Sequence, residues 1–273
     1  MTRIEPARPD DHPSFAALFP ELETGEAVPD AARFAREIAP TALFARDERM
    51  EALGYVFFQI YGRDAYVRHL VTAPRARRGG VGRALMAAVA QRARAQGASA
   101  WRLNVKVTNE TAIRFYQGLG LRRAFETWVL RLRWRALEAA ESAISAWAPT
   151  PEQLPLLERA FDLPAGLVTK SEGKVLAAAW DGDEPSAFGS FDPTFPGVYP
   201  LRATRPDAAL AVLRTFSSRA QPLDDVDRPW RSVGVQVVVE DAEPTARALL
   251  ELGADEVFRI AHLRGDLPTR VEQ

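Results

Sequence analysis

Over residues 81–96, Leu85, Met86, Val89 and Ala93 fall on one face of a 3.6-residue repeat, with Arg83, Gln91, Arg92 and Arg94 around the other. That pattern predicts an amphipathic helix, which Gly97 stops. Upstream, residues 41–47, 51–61 and 65–73 are rich in Val, Tyr, Phe and Leu and are separated by turn residues such as Gly62-Arg63-Asp64, so they read as a meander of strands. Before them come a short strand at 2–8 and helices at 10–22 and 30–39, the second opened by Pro29-Asp30 and closed by Pro40. After the long helix follow a strand at 99–107, a helix at 109–119 ended by Gly120, and a strand at 123–133.

The pattern then repeats. Residues 109–121 read NETAIRFYQGLGL, and 133 positions later residues 242–254 read AEPTARALLELGA. Each stretch lies between a Val-rich strand (103–107; 233–239) and a later alternating one (123–132; 256–263), an order that indicates duplication. The second copy continues the scheme with a helix near 151–161, strands near 166–169, 175–180 and 186–191, and a helix at 206–220. At 273 residues the chain suits two domains of about 130 residues each. The boundary falls within 135–146, itself readable as strand or helix, so the expected domains are 1–137 and 138–273.

Composition narrows the chemistry. Apolar residues make up 47% and charged residues 26%, with a mean hydropathy of -0.18, the balance of a soluble globular protein. Residues 1–13 carry charges and prolines where a secretory signal needs an apolar run, and no stretch approaches the ~20 apolar residues of a membrane span. A cytoplasmic location with no membrane partner is expected. The absence of cysteine removes disulfides, thiolate metal sites and a cysteine acyl-enzyme. His12, His69 and His262 lack metal-ligand spacing, and no metal is expected. Residues 1–135 hold 22 Lys+Arg against 14 Asp+Glu, leaving 13 against 22 for 136–273. A basic first half suits a polyanionic ligand, although solvated arginine faces account for it equally well. Its charges lie in separate elements without an aromatic stacking pattern, so no nucleic-acid partner is expected.

The segment Pro74-Arg75-Ala76-Arg77-Arg78-Gly79-Gly80-Val81-Gly82 joins a strand to the long helix. Glycines let backbone approach a ligand closely, so several N–H groups at the helix start can point at one diphosphate, with Arg77, Arg78 and Arg83 adding positive charge. A tight strand-to-helix connection is the plain alternative.

Two motifs in order make the chain resemble the GCN5-related N-acetyltransferase (GNAT) superfamily. Arg77-x-x-Gly80-x-Gly82 fits the family's [R/Q]-x-x-G-x-[G/A] at this junction. Leu103, Val105, Asn109, Ala112, Tyr116, Gly120 and Leu121 then fit L-x-V-x-x-x-N-x-x-A-x-x-x-Y-x-x-x-G-[F/L]. The likeness covers residues 2–133 well and the second half through its closing strand, helix and strand. It implies an α+β fold of two tandem GNAT-like modules, each a mixed, mostly antiparallel twisted sheet flanked by helices. It also implies acetyl-CoA as co-substrate, held by the backbone of Leu70, Val71 and Thr72, by the loop and helix start (Arg77, Arg78, Gly79, Gly80, Val81, Gly82, Arg83), and by Asn109, Ala112 and Phe115. Asn109 reads equally as the N-cap of its helix.

Tyr116 is the general acid that the resemblance implies; a phenol of reference pKa ~10 stays protonated at neutral pH and can donate to a departing thiolate. Its plain alternative is an aromatic packed beside Phe115. Relatives often carry a carboxylate base on the strand before the loop, and this strand has none. His69 has a suitable pKa class, but alternation groups it with Val67 and Val71, as a core or edge residue unless a bulge inverts the facing. Proton loss through water is the default. Glu21, Glu23 and Glu26, between the first two helices, would favour a cationic amine or form a solvated acidic loop.

The implied activity is direct acetyl transfer to a primary amine, small molecule or peptide, in a ternary complex; a CoA-binding protein without turnover is the alternative. The chain is expected as a monomer with an internal pseudo-dimer, or as a homodimer. The second module reads as degenerate. Residues 195–206 carry prolines, which lack N–H donors, in place of clustered glycines, while Ala242 stands for Asn109 and Leu249 for Tyr116.

Overall fold

The protein is represented by a computed structural model that describes residues 2–23, 27–140, 142–163, 166–168, 173–218, 231 and 233–268. The first half contains strands Arg3–Pro6 (β1), Ala42–Arg46 (β2), Ala52–Tyr61 (β3), Asp64–Thr72 (β4), Ala100–Lys106 (β5) and Arg122–Arg133 (β6). Its helices are His12–Leu18 (α1), Ala31–Arg33 (α2), Val81–Ala95 (α3) and Glu110–Gln117 (α4). The second half contains strands Ala146–Trp147 (β7), Val175–Asp181 (β8), Glu184–Asp192 (β9), Gly197–Ala203 (β10), Gly234–Glu240 (β11) and Asp255–Asp266 (β12). Its helices are Trp134–Ala139 (α5), Leu154–Ala160 (α6), Pro206–Ser217 (α7) and Glu243–Glu251 (α8). No helix of the described residues is long and apolar enough to cross a membrane.

Two compact units emerge, and each takes a stretch from the opposite half of the sequence. Unit 1 comprises Met1–Val105, Asn109–Ala124 and His262–Gln273; unit 2 comprises Lys106–Thr108 and Phe125–Ala261. The sheet of unit 1 runs β1-β2-β3-β4-β5 and then the end of β12, with β1 to β4 antiparallel and β4–β5 parallel. In unit 2 the order is β6-β11-β10-β9-β8-β7, antiparallel except for β10–β11. Both are mixed, mostly antiparallel sheets flanked by helices, the architecture expected from the sequence.

One face of the first sheet is sealed by aromatic packing. Phe15 of α1 is fully buried against Phe34 (centroids 4.7 Å apart) and Tyr55 (5.2 Å). Leu85, Met86, Val89 and Ala93 of α3 are fully buried, as their spacing predicts. In unit 2, α7 buries Val212 and Phe216, the latter stacked on Phe191 at 5.3 Å.

Local departures from the sequence pattern have identifiable causes. The helix expected at 10–22 is α1 flanked by 3₁₀ turns, Pro9–Asp11 and Phe19–Leu22, where Pro20 supplies no N–H. The helix at 30–39 is capped by the Asp30 carboxylate on the Arg33 N–H and becomes a π-helical turn over Phe34–Ile38. The ambiguous stretch 135–146 is helical in α5 and reaches the start of β7.

Of residues 166–169, expected to be a strand, 166–168 form a turn and Thr169 lies outside the described residues. The Glu158 carboxylate accepts the amides of Gly166 and Val168, so those N–H groups are not available to a ladder, and Gly166 sits at φ +87°. Residues 195–206, which carry prolines where the first half has clustered glycines, are mostly strand β10, leaving Thr204 and Arg205 as the connector to α7.

Candidate active site

Strand β4 changes partners along its length. Its parallel pairing to β5 runs from Asp64↔Ala100 to Val67↔Leu103 and stops, while its antiparallel pairing to β3 continues to Gly54↔Thr72. The two strands therefore part beyond Val67, and His69, Leu70, Val71 and Thr72 have no β5 partner. Ala73 N–H donates to the Leu53 carbonyl at 2.8 Å. Backbone groups alternate sides along a strand, so those of Val71 belong to the β3 ladder, while those of Leu70 and Thr72 face the opened gap.

The break begins at a β-bulge. Phe57 opposes His69 and Phe58 opposes Val67, so Arg68 is the extra residue. Simple alternation, which groups His69 with Val67, is corrected by this bulge: His69 shares the face of Phe57 and Tyr55, and Val67 the face of Phe58. The imidazole packs edge-on to Phe57 (5.2 Å) and Phe19 (5.7 Å), with Tyr55 Oη 3.4 Å from Nδ1. Burial, with Arg68 adding, pushes its pKa down to about 4. An imidazole this acidic in its protonated form is a weak acceptor for an ammonium proton.

Past Thr72, the 3₁₀ turn Pro74–Ala76 leads into a loop with Arg78 at φ +67° and Gly80 at φ +79°, the latter the N-cap of α3. Gly80 needs its missing side chain for that conformation. The Ala84 amide bonds back to the Gly80 carbonyl. The amides of Gly80, Val81, Gly82 and Arg83 have no backbone acceptor among the described residues. They form a donor set at the positive end of a 15-residue helix dipole. Arg78, Gly79, Gly80 and Arg83 are exposed.

Gly82 brings the elements together. A Cβ there would lie 3.4 Å from the Phe115 ring and 3.6 Å from Thr72 Oγ1, so the end of β4, the start of α3 and the face of α4 meet at this glycine. On α4, the Asn109 carboxamide oxygen accepts the Ala112 N–H at 3.0 Å, which makes Asn109 an N-cap; this bond leaves its amide NH₂ available to a ligand. Phe115 stands edge-on to Tyr116 at 5.2 Å.

Tyr116 is only 8% exposed, and its carbonyl accepts the amides of both Leu119 and Leu121, a helix end closed by Gly120 at φ +88°. Burial pushes its phenol pKa well above the ordinary tyrosine value.

Two contributors are not marked by the motifs. Gly54 of β3 lies so close to β4 that a Cβ would strike the Val71 carbonyl oxygen; the only sequence sign is a lone glycine inside a strand. Glu21, for which the sequence leaves open an acceptor-side carboxylate and a solvated acidic loop, is ion-paired to Arg77 Nη2, while Arg77 Nε donates to the Thr72 carbonyl at 3.4 Å. Of its companions, Glu26 lies outside the described residues.

Unit 2 lacks these features at the matching place. Parallel pairing of β10 to β11 continues, across a bulge, to Leu201↔Val239, close to the end of β10, and α7 starts on Pro206. No glycine-rich turn intervenes, Ala242 caps α8 without a side-chain bond, and Leu249 is fully buried.

Parted parallel strands, a loop of free amides and a helix mouth meet at one place on a mixed α/β scaffold. Residues 9–121 match the family model described as "Acetyltransferase (GNAT) family". A GCN5-related N-acetyltransferase from Sphaerobacter thermophilus shares 16% identity over 100% of this chain and 98% of its own, with a TM-score of 0.65. One from Kribbella flavida matches at 16% identity over 98% of this chain and 72% of its own, TM-score 0.57. A tandem GNAT protein from the clavulanic acid biosynthesis pathway matches at 18% identity over 98% of this chain and 99% of its own, TM-score 0.54. No curated protein sequence matches the chain. Residues 9–121 thus resemble the GNAT acetyltransferase family, and the chain as a whole shares the fold of these solved structures, a tandem GNAT protein among them.

Proposed function

We propose that unit 1 transfers an acetyl group from acetyl-CoA to a primary amine by direct attack, and that unit 2 does not catalyse. The observation that carries this reading is the set of free amides from Gly80 to Arg83 beside a strand whose β5 partner has parted from it. A diphosphate satisfies such donors, with Arg78 and Arg83 adding charge, and an extended amide-bearing arm can pair with Leu70 and Thr72 as a missing strand would.

In the reaction, the amine nitrogen attacks the thioester carbonyl and the carbonyl oxygen takes up negative charge beside the β4 backbone donors. The C–S bond then breaks, the Tyr116 phenol gives its proton to the departing thiolate, and the ammonium proton leaves through water. Burial keeps the phenol protonated. The same burial makes it a poorer acid than a thiol of reference pKa ~8.5, so the phenolate must be reprotonated from solvent as it forms. Neither a metal nor a nucleic acid nor a membrane has a role, and the amine acceptor is a small molecule or a peptide.

The test is titration calorimetry with CoA, followed by CoA-thiol release from acetyl-CoA across a panel of amines. Amine-dependent release supports the reading. Binding without release supports a CoA-binding protein, a second reading favoured by a β4 strand that holds no carboxylate beyond Asp64 and only a weakly basic His69. Absence of binding removes both.

A further inference from the structure

We infer that Glu21 is an exchangeable counter-ion for Arg77: the structure pairs the two, and a CoA diphosphate takes Arg77 over and frees the Glu21 carboxylate. The inference rests on the acetyl-CoA reading and adds to it a residue outside the phosphate loop that tunes cofactor affinity.

Three observations carry it. Arg77 Nη2 is paired with Glu21 Oε2, and these are the charges that the described structure brings together across 56 positions of sequence. Arg77 stands three residues before Gly80, in the loop whose amides lack acceptors, so a diphosphate at those amides lies within reach of the guanidinium. Arg77 and Glu21 side chains are 52% and 32% exposed, so the pair can open without disturbing a core.

The position of Glu21 gives the exchange a consequence. Its 3₁₀ turn, Phe19–Leu22, is anchored by Phe19 on the His69 ring, and His69 directly precedes Leu70 in the strand that faces the gap. A carboxylate released there becomes a free negative charge on a turn packed against that strand. That favours a cationic amine only once the cofactor is in place. A dianionic diphosphate with several amide donors is a stronger partner for a guanidinium than one exposed carboxylate.

The experiment is CoA calorimetry on the wild type, Glu21→Gln, Arg77→Gln and the double variant, with folding checked by circular dichroism. Exposed pairs are weak, so Glu21→Gln is expected to tighten CoA binding by about three- to five-fold. In the Arg77→Gln background the same change should have no effect, because there is no guanidinium to release. Unchanged or weaker binding by Glu21→Gln, or equal tightening in both backgrounds, overturns the exchange. If the wild type does not bind CoA, the acetyl-CoA reading itself falls and the exchange falls with it.

Discussion

Gly54 on β3 and Val71 on β4 are in such close backbone contact that no side chain fits between them. A Cβ on Gly54 would meet the Val71 carbonyl oxygen head-on, with the Thr72 Cα at 3.2 Å and a Val81 methyl at 3.3 Å. The strand that faces the gap is thus pressed against its neighbour at the point where α3 begins. Gly54→Ala is expected to push Val71 and Thr72 toward β5 and narrow the opening. It should lower stability by about 1–3 kcal/mol and weaken CoA binding more than tenfold. Urea melts and calorimetry on the variant read the two effects separately; a destabilised variant with unaltered CoA affinity would detach this contact from the site.

Tyr116→Phe removes one oxygen and leaves the ring packing. Turnover is expected to drop by about 10²- to 10⁴-fold, the usual worth of general acid–base catalysis, with little change in CoA affinity. Single-turnover thiol release is the measurement, and undiminished release would leave Tyr116 as a core aromatic.

His69 makes a prediction about acid. Its folded pKa of about 4 lies below the reference ~6.5, so the unfolded chain binds the proton more readily. The stability tied to keeping this ring neutral is present above pH ~6.5 and is lost as pH falls toward 4. The full shift corresponds to at most about 3 kcal/mol. Urea midpoints should decline across that window, and His69→Gln should flatten the decline. An equal slope in both proteins would place the acid sensitivity elsewhere.

The two units predict a stoichiometry. β4 parts from β5 after Val67, whereas β10 stays paired to β11 as far as Leu201. One CoA per chain is expected, and calorimetry gives the number directly; two equivalent sites would refute the inactive role of unit 2.

How much of this could be read from the sequence depended on the range of the cause. The α3 stripe, the glycine loop and the Asn109–Tyr116 helix are local patterns, and each appears where its residues predict. The Arg68 bulge could be named only as an exception to alternation, because no residue type announces the extra position. The turn at 166–168 escaped because its amides answer to Glu158, eight to ten residues upstream. The Glu21–Arg77 pair and the strand exchange are long-range relations, which no local pattern encodes. In the second half, residues 195–206 carry prolines that suggest a loop, yet Pro200 sits at the bulge within β10, where the ladder can spare an N–H.

The composition of the compact units has a bearing on how the protein is made. Unit 1 is completed by residues from His262 onward, and Leu267 donates its amide to the Ser99 carbonyl. During synthesis the sheet of unit 1 therefore waits, with the β5 edge uncovered, until the segment from His262 onward has left the ribosome. A cut at the middle of the sequence would therefore leave the sheet of unit 1 without the strand segment that borders β5.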